Sequence, residues 1–274
     1  MKPRWHVITV LLLGAVAAMA RAAPEADPWP RWQAHDPDAA ASIDHGAWTR
    51  WLERHRRPGP DGVARVDYGG VSTGDRERLQ GYIDRLAGVA ISGYRRPEQL
   101  AFWINLYNAS TVEVVLEHYP VDSIRDIDIS PGWFSNGPWG RELVEVEGIA
   151  LSLDDIEHRI LRPIWDDPRI HYAVNCAAIG CPDLQPVAFT ADNAERLLER
   201  GARAYVNDPR GAAIVDGELV VSSIYHWFRA DFGDSARGVV AHLRRYAGDD
   251  LAARLAGRDG YDDHRYDWTL NDVP

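Results

Sequence analysis

The sequence contains only two cysteines in 274 residues, so it cannot be one of the small folds that several disulfides hold together. Its stability must come from the burial of ordinary side chains. Eleven tryptophans and eleven tyrosines suit that purpose, because each combines a large apolar body with one polar group.

The chain also lacks an excess of positive charge. Its formal net charge is −11 at pH 7, and no stretch gathers arginine or lysine into a basic patch. Nucleic acids and anionic lipids are bound mainly through clustered positive charge. We therefore expect no nucleic-acid partner, and instead a small-molecule or peptide substrate.

No segment beyond the N-terminus approaches the ~20 consecutive apolar residues that a membrane-spanning helix needs. The N-terminus has Lys2 and Arg4, then an apolar run over 7–20, then small-residue cleavage patterns at 18–20 and 20–22. These features are typical of a signal peptide. We expect residues 1–22 to be removed and the mature protein, without a membrane span, to be periplasmic or secreted.

The composition of the remaining residues predicts a tether followed by one domain. Residues 23–42 are rich in alanine, proline and aspartate, which predicts a flexible tether. Residues 43–274 predict a single α+β domain, with a helical part at 43–118 and a sheet-containing part at 119–274. We expect a mainly antiparallel central sheet packed by helices, of the papain-like or transglutaminase-like kind.

Local patterns predict the individual elements. Apolar residues at helical spacing predict helices over 43–57, 75–89, 97–116, 152–161, 194–205 and 235–246. Pro163 is expected to stop the fourth of these helices. Alternation predicts a strand over 143–147, Asp216–Gly217 predicts a tight hairpin within 213–221, and an apolar run predicts a strand over 171–176.

The helix at 97–116 is apolar on nearly every side, which predicts that it is buried. It carries Asn105 and Asn108, whose carboxamides need hydrogen-bond partners once they leave water. Two interpretations are open. The amides either tie the helix to neighbouring backbone or line a binding site, together with Trp103 and Tyr107.

The helix at 152–161 carries Glu157 inside its apolar stripe and His158 at the margin. A glutamate that points the same way as isoleucines must be paired or have a raised pKa. Because the two residues are consecutive, their side chains diverge by ~100° and are not expected to hydrogen-bond to each other.

The two cysteines, Cys176 and Cys181, share one short segment that begins with His171. A thiol at the end of a rigid element, near an imidazole, is what covalent catalysis needs. Cys176 could form such a set with Glu157 and either histidine. If residues 171–176 are extended, His171 and Cys176 face opposite sides, which would favour His158 as the partner.

Two alternatives to a catalytic thiol are open. An oxidising compartment would favour a disulfide between Cys176 and Cys181. Histidine, glutamate and cysteine can also bind zinc, but no pair here has a recognised ligand spacing. We therefore predict neither a metal nor another cofactor.

Five segments together resemble one family: AFWINLYNA (101–109), LSLDDIEHRILR (151–162), RIHYAVNCAAIGCP (169–182), WFRADF (227–232) and YDWTLN (266–271). In order and spacing they are similar to the domain of unknown function 547 family, over residues 65–271. The resemblance implies a polar signature of Asn105, Asn108, Glu157, His158, His171 and Cys176. Serine can stand at the position of Cys181 in that family, which implies that the fold does not require the disulfide and favours a thiol role for Cys176.

The favoured function is a thiol-dependent hydrolase or acyl transferase that acts on an amide or ester. The predicted catalytic residues are Glu157, His158, His171 and Cys176. The predicted substrate contacts are Trp103, Asn105, Tyr107 and Asn108. The alternative is a non-catalytic envelope domain that binds a partner and in which a Cys176–Cys181 disulfide is structural.

The signal-peptide prediction is tested by the N-terminus of the exported protein. Cleavage should occur after Ala20 or Ala22, because both positions complete a small-residue pattern. Mass spectrometry of the mature chain should find one of these two N-termini. A membrane-bound product that still begins with Met1 would contradict the prediction.

Overall fold

A computed structural model describes residues 24–132 and 137–274, so the predicted signal peptide lies outside the described residues. The α-helices are α1 (Gly46–His55), α2 (Thr73–Ala87), α3 (Arg96–His118), α4 (Arg162–Trp165), α5 (Ala194–Val206), α6 (Ser223–Trp227), α7 (Ala236–Tyr246) and α8 (Asp249–Leu255). The strands are β1 (Arg56–Pro58), β2 (Ala64–Val66), β3 (Glu142–Val146), β4 (Ile149–Ser152), β5 (Ala212–Val215), β6 (Glu218–Ser222) and β7 (Asp263–Arg265).

The strands form three small sheets. Two are antiparallel hairpins, β1–β2 and β3–β4, and the third has the order β5-β6-β7. In the third sheet β6 is antiparallel to β5 and parallel to β7. This mixture of helices and mainly antiparallel strands confirms the α+β class. The strands are divided among three sheets rather than gathered into one central sheet, because most pair only with their neighbour in sequence.

The predicted tight turn between β5 and β6 is confirmed. Asp216 and Gly217 have φ angles of 51° and 90°, both in the left-handed region that a two-residue hairpin turn requires. Aspartate tolerates this region better than most residues, and glycine occupies it without steric cost.

Helix α3 is the buried element on which the larger hydrophobic core is built. Nearly all of its residues between Glu98 and Val115 are buried, as its apolar sequence predicts. Asn105 is fully buried and makes two hydrogen bonds to the backbone of Phe189. It donates to the carbonyl oxygen at 2.8 Å and accepts from the N–H at 3.0 Å.

A second hydrophobic core is built by the C-terminal elements. It includes buried residues of α5, the third sheet, α6, α7 and α8. The first core includes α1, α2, α3 and the helical segment after β4. The segment 170–174 contacts both cores, since Ile170, Ala173 and Val174 belong to the first and Tyr172 belongs to the second.

The prediction of a strand over 171–176 is wrong. Pro168–Tyr172 is a 3₁₀ helix, and residues 173–176 are irregular. Pro168 supplies the fixed φ of a first helical position, and the Asp167 side chain accepts from the backbone N–H of Arg169. This local start signal outweighs the apolar run that predicted a strand.

The helix after β4 begins as predicted but does not end at Pro163. Ser152 and Asp155 form the predicted capping box, with reciprocal side chain to backbone hydrogen bonds of 3.1 and 3.0 Å. The chain then makes a π-helical turn, Asp155–Leu161, and continues as α4. The N–H of Arg162 reaches the carbonyl of Glu157, five residues back, and this change of register lets Pro163 enter a first helical turn.

The π-helical turn leaves two carbonyl groups without helical donors. His158 O loses the Arg162 N–H, and Arg159 O would need an N–H that Pro163 lacks. The N-terminal segment supplies both, since Asp27 N donates to His158 O and Trp29 N to Arg159 O. The composition of residues 23–42 led us to expect a flexible tether. That expectation included neither these contacts nor the burial of Trp32 in the first core.

No helix within 24–132 or 137–274 is long and apolar enough to cross a membrane.

Replacement of Asn105 by alanine should destabilise the fold. The buried N–H and C=O of Phe189 would lose their partners, and each buried unsatisfied group costs about 1–3 kcal/mol. We expect Asn105→Ala to lower the free energy of unfolding by about 2–4 kcal/mol in urea titrations. Gln80→Ala, on the exposed side of α2, is the control and should change it by less than about 0.5 kcal/mol. Equal effects of the two substitutions would contradict this role of Asn105.

Candidate functional site

Five titratable side chains meet where the two cores join, and we call them the charged cluster: Glu157, His158, Arg162, His171 and Asp231. The π-helical turn and α4 supply the first three, the 3₁₀ helix Pro168–Tyr172 supplies His171, and a second 3₁₀ helix, Arg229–Phe232, supplies Asp231. All are buried except the half-buried Asp231.

Asp231 binds Arg162 and His171 through one carboxylate. Arg162 donates from Nε to Oδ2 at 2.6 Å and from Nη2 to Oδ1 at 3.0 Å. His171 Nε2 is 2.7 Å from the same Oδ2, and it must carry a proton because an ionised carboxylate only accepts. Phe228 covers both cations, 4.5 Å from the His171 ring and 4.7 Å from the Arg162 guanidinium carbon.

Glu157 lies on the other side of the His171 ring. Its Oε1 is 3.6 Å from His171 Nδ1, so the imidazole stands between two carboxylates. Burial by itself would lower the pKa of His171, but the hydrogen bond to Asp231 and the charge of Glu157 raise it above its ordinary value. The imidazolium form therefore persists to higher pH than in a free histidine.

Glu157 itself stays ionised despite its burial. Burial is the largest effect on its pKa and would raise it, but the neighbouring histidines and Arg162 together lower this pKa to about 2. The carboxylate is therefore paired with positive charge, which is one of the two outcomes that its place in the apolar stripe predicted.

His158 differs from His171 because it faces a cation. Arg162 Nη1 is 3.0 Å from His158 Nδ1, and arginine can only donate, so Nδ1 accepts and the proton is on Nε2. Burial first, and then Arg162, lower the pKa of His158 to about 4 against the opposing charge of Glu157. His158 is therefore neutral at pH 7. Its Nδ1 is 4.0 Å from Glu157 Oε1, beyond hydrogen-bond range, as predicted for consecutive residues.

The charges in the cluster balance. With His171 protonated and His158 neutral, two cations face two carboxylates. An unpaired charge at this depth would cost several kcal/mol, so each member depends on the others for its ionisation state.

The two cysteine sulfurs are joined in a Cys176–Cys181 disulfide, the outcome that the sequence left open. Cys176 is half-buried, and Cys181 is buried. The Tyr266 hydroxyl lies 3.0 Å from both sulfurs. Ala177, directly after Cys176, has a φ of 56°, a left-handed conformation that alanine rarely adopts and that is held here by a hydrogen bond from its N–H to Asn175 Oδ1.

Two tyrosine hydroxyls are influenced by Glu157, and one of them, that of Tyr266, also contacts the sulfurs. Burial, then the charge of Glu157 and hydrogen bonding to it, raise the pKa of the Tyr107 hydroxyl well above its ordinary value. Burial, then Tyr205 and the Glu157 charge, raise the pKa of Tyr266 in the same way. Both hydroxyls therefore stay protonated near Glu157, and Tyr266 also contacts Cys176.

The four side chains predicted to contact substrate lie in different surroundings. Tyr107 faces Glu157, and Asn108 holds the cysteine segment, with hydrogen bonds of 2.8 Å to Ala173 O and from the N–H of Asn175. Asn105 contacts Phe189 backbone, as described above. Trp103 is 1% exposed and packs edge-on against Trp32 and Phe102 in the first core.

Three residues of this site were not singled out from the sequence: Arg162, Asp231 and Tyr266. Each lies inside one of the five segments that resemble the family, and Asp231 stands between two phenylalanines of the segment 227–232. The phenylalanines on either side of Asp231 were the sequence signal that it could be buried. They did not indicate that its partners are Arg162 and His171.

Two hollows of the described surface could accept a small molecule. One, of about 260 Å³, is lined by residues of 165–169 with Arg245 and Tyr246. The other, of about 380 Å³, is lined by Ser123, Arg125, Asp126 and Trp268. Trp268 packs on Tyr266, with ring centres 4.7 Å apart, and the Tyr266 hydroxyl in turn contacts the disulfide. Over 24–132 and 137–274, no group of three or more histidine, cysteine or acidic residues has an arrangement that could hold a metal ion.

The pairing of Glu157 predicts a pH-dependent contribution to stability. Its folded pKa lies near 2, below the ordinary value of 4.5, so its contribution is present above pH 4.5 and is lost as the pH falls towards 2. We expect Glu157→Gln to lower the free energy of unfolding by about 2–3 kcal/mol at pH 7 and by progressively less between pH 4.5 and pH 2.

Urea unfolding across this pH range measures the effect. Glu53→Gln, an exposed position of α1, is the matched control and should change the free energy by less than about 0.5 kcal/mol at every pH. A Glu157→Gln effect that does not shrink on acidification would contradict the assigned ionisation.

Comparison with known proteins identifies a family but no individual relative. The family model described as "Protein of unknown function, DUF547" matches residues 91–206. This span includes α3, the π-helical turn, both cysteines and α5, and it ends before Asp231 and Tyr266. The searches of curated proteins and of solved structures found no match. Residues 91–206 are therefore similar to the DUF547 family of proteins of unknown function.

Proposed function

We propose that this protein is an exported, thiol-dependent hydrolase or acyl transferase that acts on an amide or ester, with reduced Cys176 as its nucleophile. The observation that carries the proposal is the position of the Tyr266 hydroxyl, 3.0 Å from Cys176 Sγ and within the field of Glu157. This hydroxyl supports the proposal that the sulfur and the charged cluster act together. The left-handed Ala177 supports it, because strained backbone is found preferentially at functional positions.

Each residue of the site has its own role in the proposed reaction. The Cys176 thiolate attacks the carbonyl carbon and forms a thioester, and water or another acceptor then releases the acyl group. His171, protonated and with a pKa above its ordinary value, is the member of the cluster to which we assign protonation of the leaving group. Glu157 and Asp231 hold that imidazolium, and His158, neutral at pH 7, accepts from Arg162 and keeps its guanidinium in place.

The substrate would approach from the side of the half-buried aromatic residues. Trp227 and Trp268 stack at 5.6 Å beside Tyr266, and the hollow of about 380 Å³ adjoins them. A volume of this size holds a small molecule or one residue of a peptide. Of the predicted substrate contacts, Tyr107 interacts with Glu157, and Asn108 binds the backbone of the cysteine segment. Contacts of Trp103 and Asn105 with substrate stay a prediction, and their observed role is to position α3.

Export is part of the same proposal. The predicted signal peptide and the disulfide both support an oxidising compartment, such as a periplasm or the exterior of the cell. In that compartment the thiol has to be generated by reduction.

The disulfide is also compatible with a second function. In the oxidised form Cys176 has no thiol, and the aromatic residues beside it offer a surface for a ligand or partner. This alternative is a non-catalytic envelope domain in which the disulfide is structural. It predicts that cysteine substitutions lower stability and alter no chemistry.

Acyl transfer to reduced protein separates the two functions. The protein is reduced with a phosphine, freed of reductant and incubated with a p-nitrophenyl ester. A thiol enzyme should acquire one hydroxylamine-labile acyl group, which intact-mass measurement detects. The group should persist in Cys181→Ser and be absent from Cys176→Ser.

Iodoacetamide labelling of the same samples provides the control for access. Native oxidised protein should not be labelled, and reduced Cys181→Ser should be labelled at Cys176 near neutral pH. If reduced protein labels but forms no acyl adduct, and both serine variants only lower the melting temperature, the binding domain is the correct function.

A further inference from the structure

The Cys176–Cys181 disulfide is asymmetric in its exposure to solvent. Cys176 is half-buried, and Cys181 is 3% exposed beneath it. In thiol–disulfide exchange the incoming sulfur must reach the sulfur that it attacks, so access determines which one reacts. An external thiol can approach Cys176 but not Cys181.

Hydrogen bonding to the sulfurs has the same asymmetry. Cys181 Sγ accepts from the backbone N–H of Cys176 at 2.9 Å and from the Tyr266 hydroxyl at 3.0 Å. Among the described residues, Cys176 Sγ has one hydrogen-bond neighbour, the Tyr266 hydroxyl. Hydrogen bonds to a thiolate stabilise it, and a stabilised thiolate leaves faster. Cys181 is therefore the better leaving group.

We propose that the protein undergoes thiol–disulfide exchange with an external dithiol, in which Cys176 is the sulfur attacked and Cys181 is the leaving thiolate. Solvent access and hydrogen bonding are independent observations, and both indicate that Cys176 is attacked and that Cys181 leaves. This inference deepens the proposed function, since it names the reaction that frees Cys176, but its test requires no acyl substrate.

The reaction balances in atoms and electrons. A thiolate of the dithiol attacks Cys176 Sγ, the Cys176–Cys181 bond breaks, and its electron pair stays on Cys181. The second thiol of the dithiol then attacks the dithiol's first sulfur in the mixed disulfide, and Cys176 leaves as a thiolate. The partner is oxidised to a disulfide by two electrons, and this chain gains two thiols after uptake of the two protons that the partner loses.

The direction of opening is tested with reduced glutathione, a monothiol that cannot complete the second step. Oxidised full-length protein is incubated with glutathione under native conditions, and free thiols are then blocked with N-ethylmaleimide. Fragmentation of the peptide that contains both cysteines should find glutathione on Cys176 and maleimide on Cys181, in at least tenfold excess over the reverse pattern. An even distribution, the reverse pattern, or adducts that form only in denaturant would overturn the proposal.

Tyrosine substitutions test the role of the leaving group. Tyr266→Phe removes one hydrogen bond to Cys181 and should slow the opening about fivefold. Tyr261→Phe is the control. The Tyr261 hydroxyl hydrogen-bonds to His226 and not to a sulfur, so its removal should leave the opening rate unchanged. Equal rates in both variants would refute the assigned role of Tyr266.

The source of the dithiol is distinguished by a direct comparison. Dithiothreitol and a reduced Cys-X-X-Cys protein are added at equal thiol concentrations, and the faster reductant indicates whether a small or a protein dithiol is preferred. Failure of both to open the native disulfide would overturn the exchange reaction. Rapid opening without any later acyl transfer would contradict the thiol-enzyme function alone.

Discussion

The ion pair between Arg162 and Asp231 is the contact on which the rest of the site depends. It joins the helical segment of the first core to the 3₁₀ helix of the second, across 69 residues of sequence. It also influences the ionisation of its neighbours, because Asp231 favours the protonated form of His171 and Arg162 adds to the effect of burial in keeping His158 neutral. This carboxylate–guanidinium contact thus links the two cores and contributes to the difference in charge between the two histidines.

The π-helical turn sets where Arg162 lies relative to the residues before it. One change in hydrogen-bond register places Glu157 and His158 beside Arg162 and accommodates Pro163 in a continuing helix. The change frees two carbonyl groups, and the N-terminal segment binds both. The segment 24–29 is consequently a part of the site's support, and the position of the catalytic candidates depends on a stretch of chain whose composition indicates no structure.

The oxidation state of the cysteines separates two chemical forms of one site. In the disulfide form, the Tyr266 hydroxyl lies against both sulfurs, and no nucleophile is available. In the reduced form, the same hydroxyl would lie between a thiol and the charged cluster. The proposed hydrolase and the proposed exchange reaction are therefore successive steps at a single sulfur, and they require different partners.

The sequence by itself determined the α+β class, the helices α1, α2, α3, α5 and α7 to within a few residues, the β5–β6 turn and the burial of α3, because these follow from short-range periodicity, caps and turn residues. It also showed that Asn105 and Glu157 must find polar partners. It did not determine which partners, since Phe189 is 84 residues from Asn105 and His171 is 14 residues from Glu157. The 3₁₀ helix at Pro168–Tyr172 follows from a local start signal that the strand prediction overlooked. The disulfide and the π-helical turn were decided only by tertiary structure, where contacts between segments outweigh local preference.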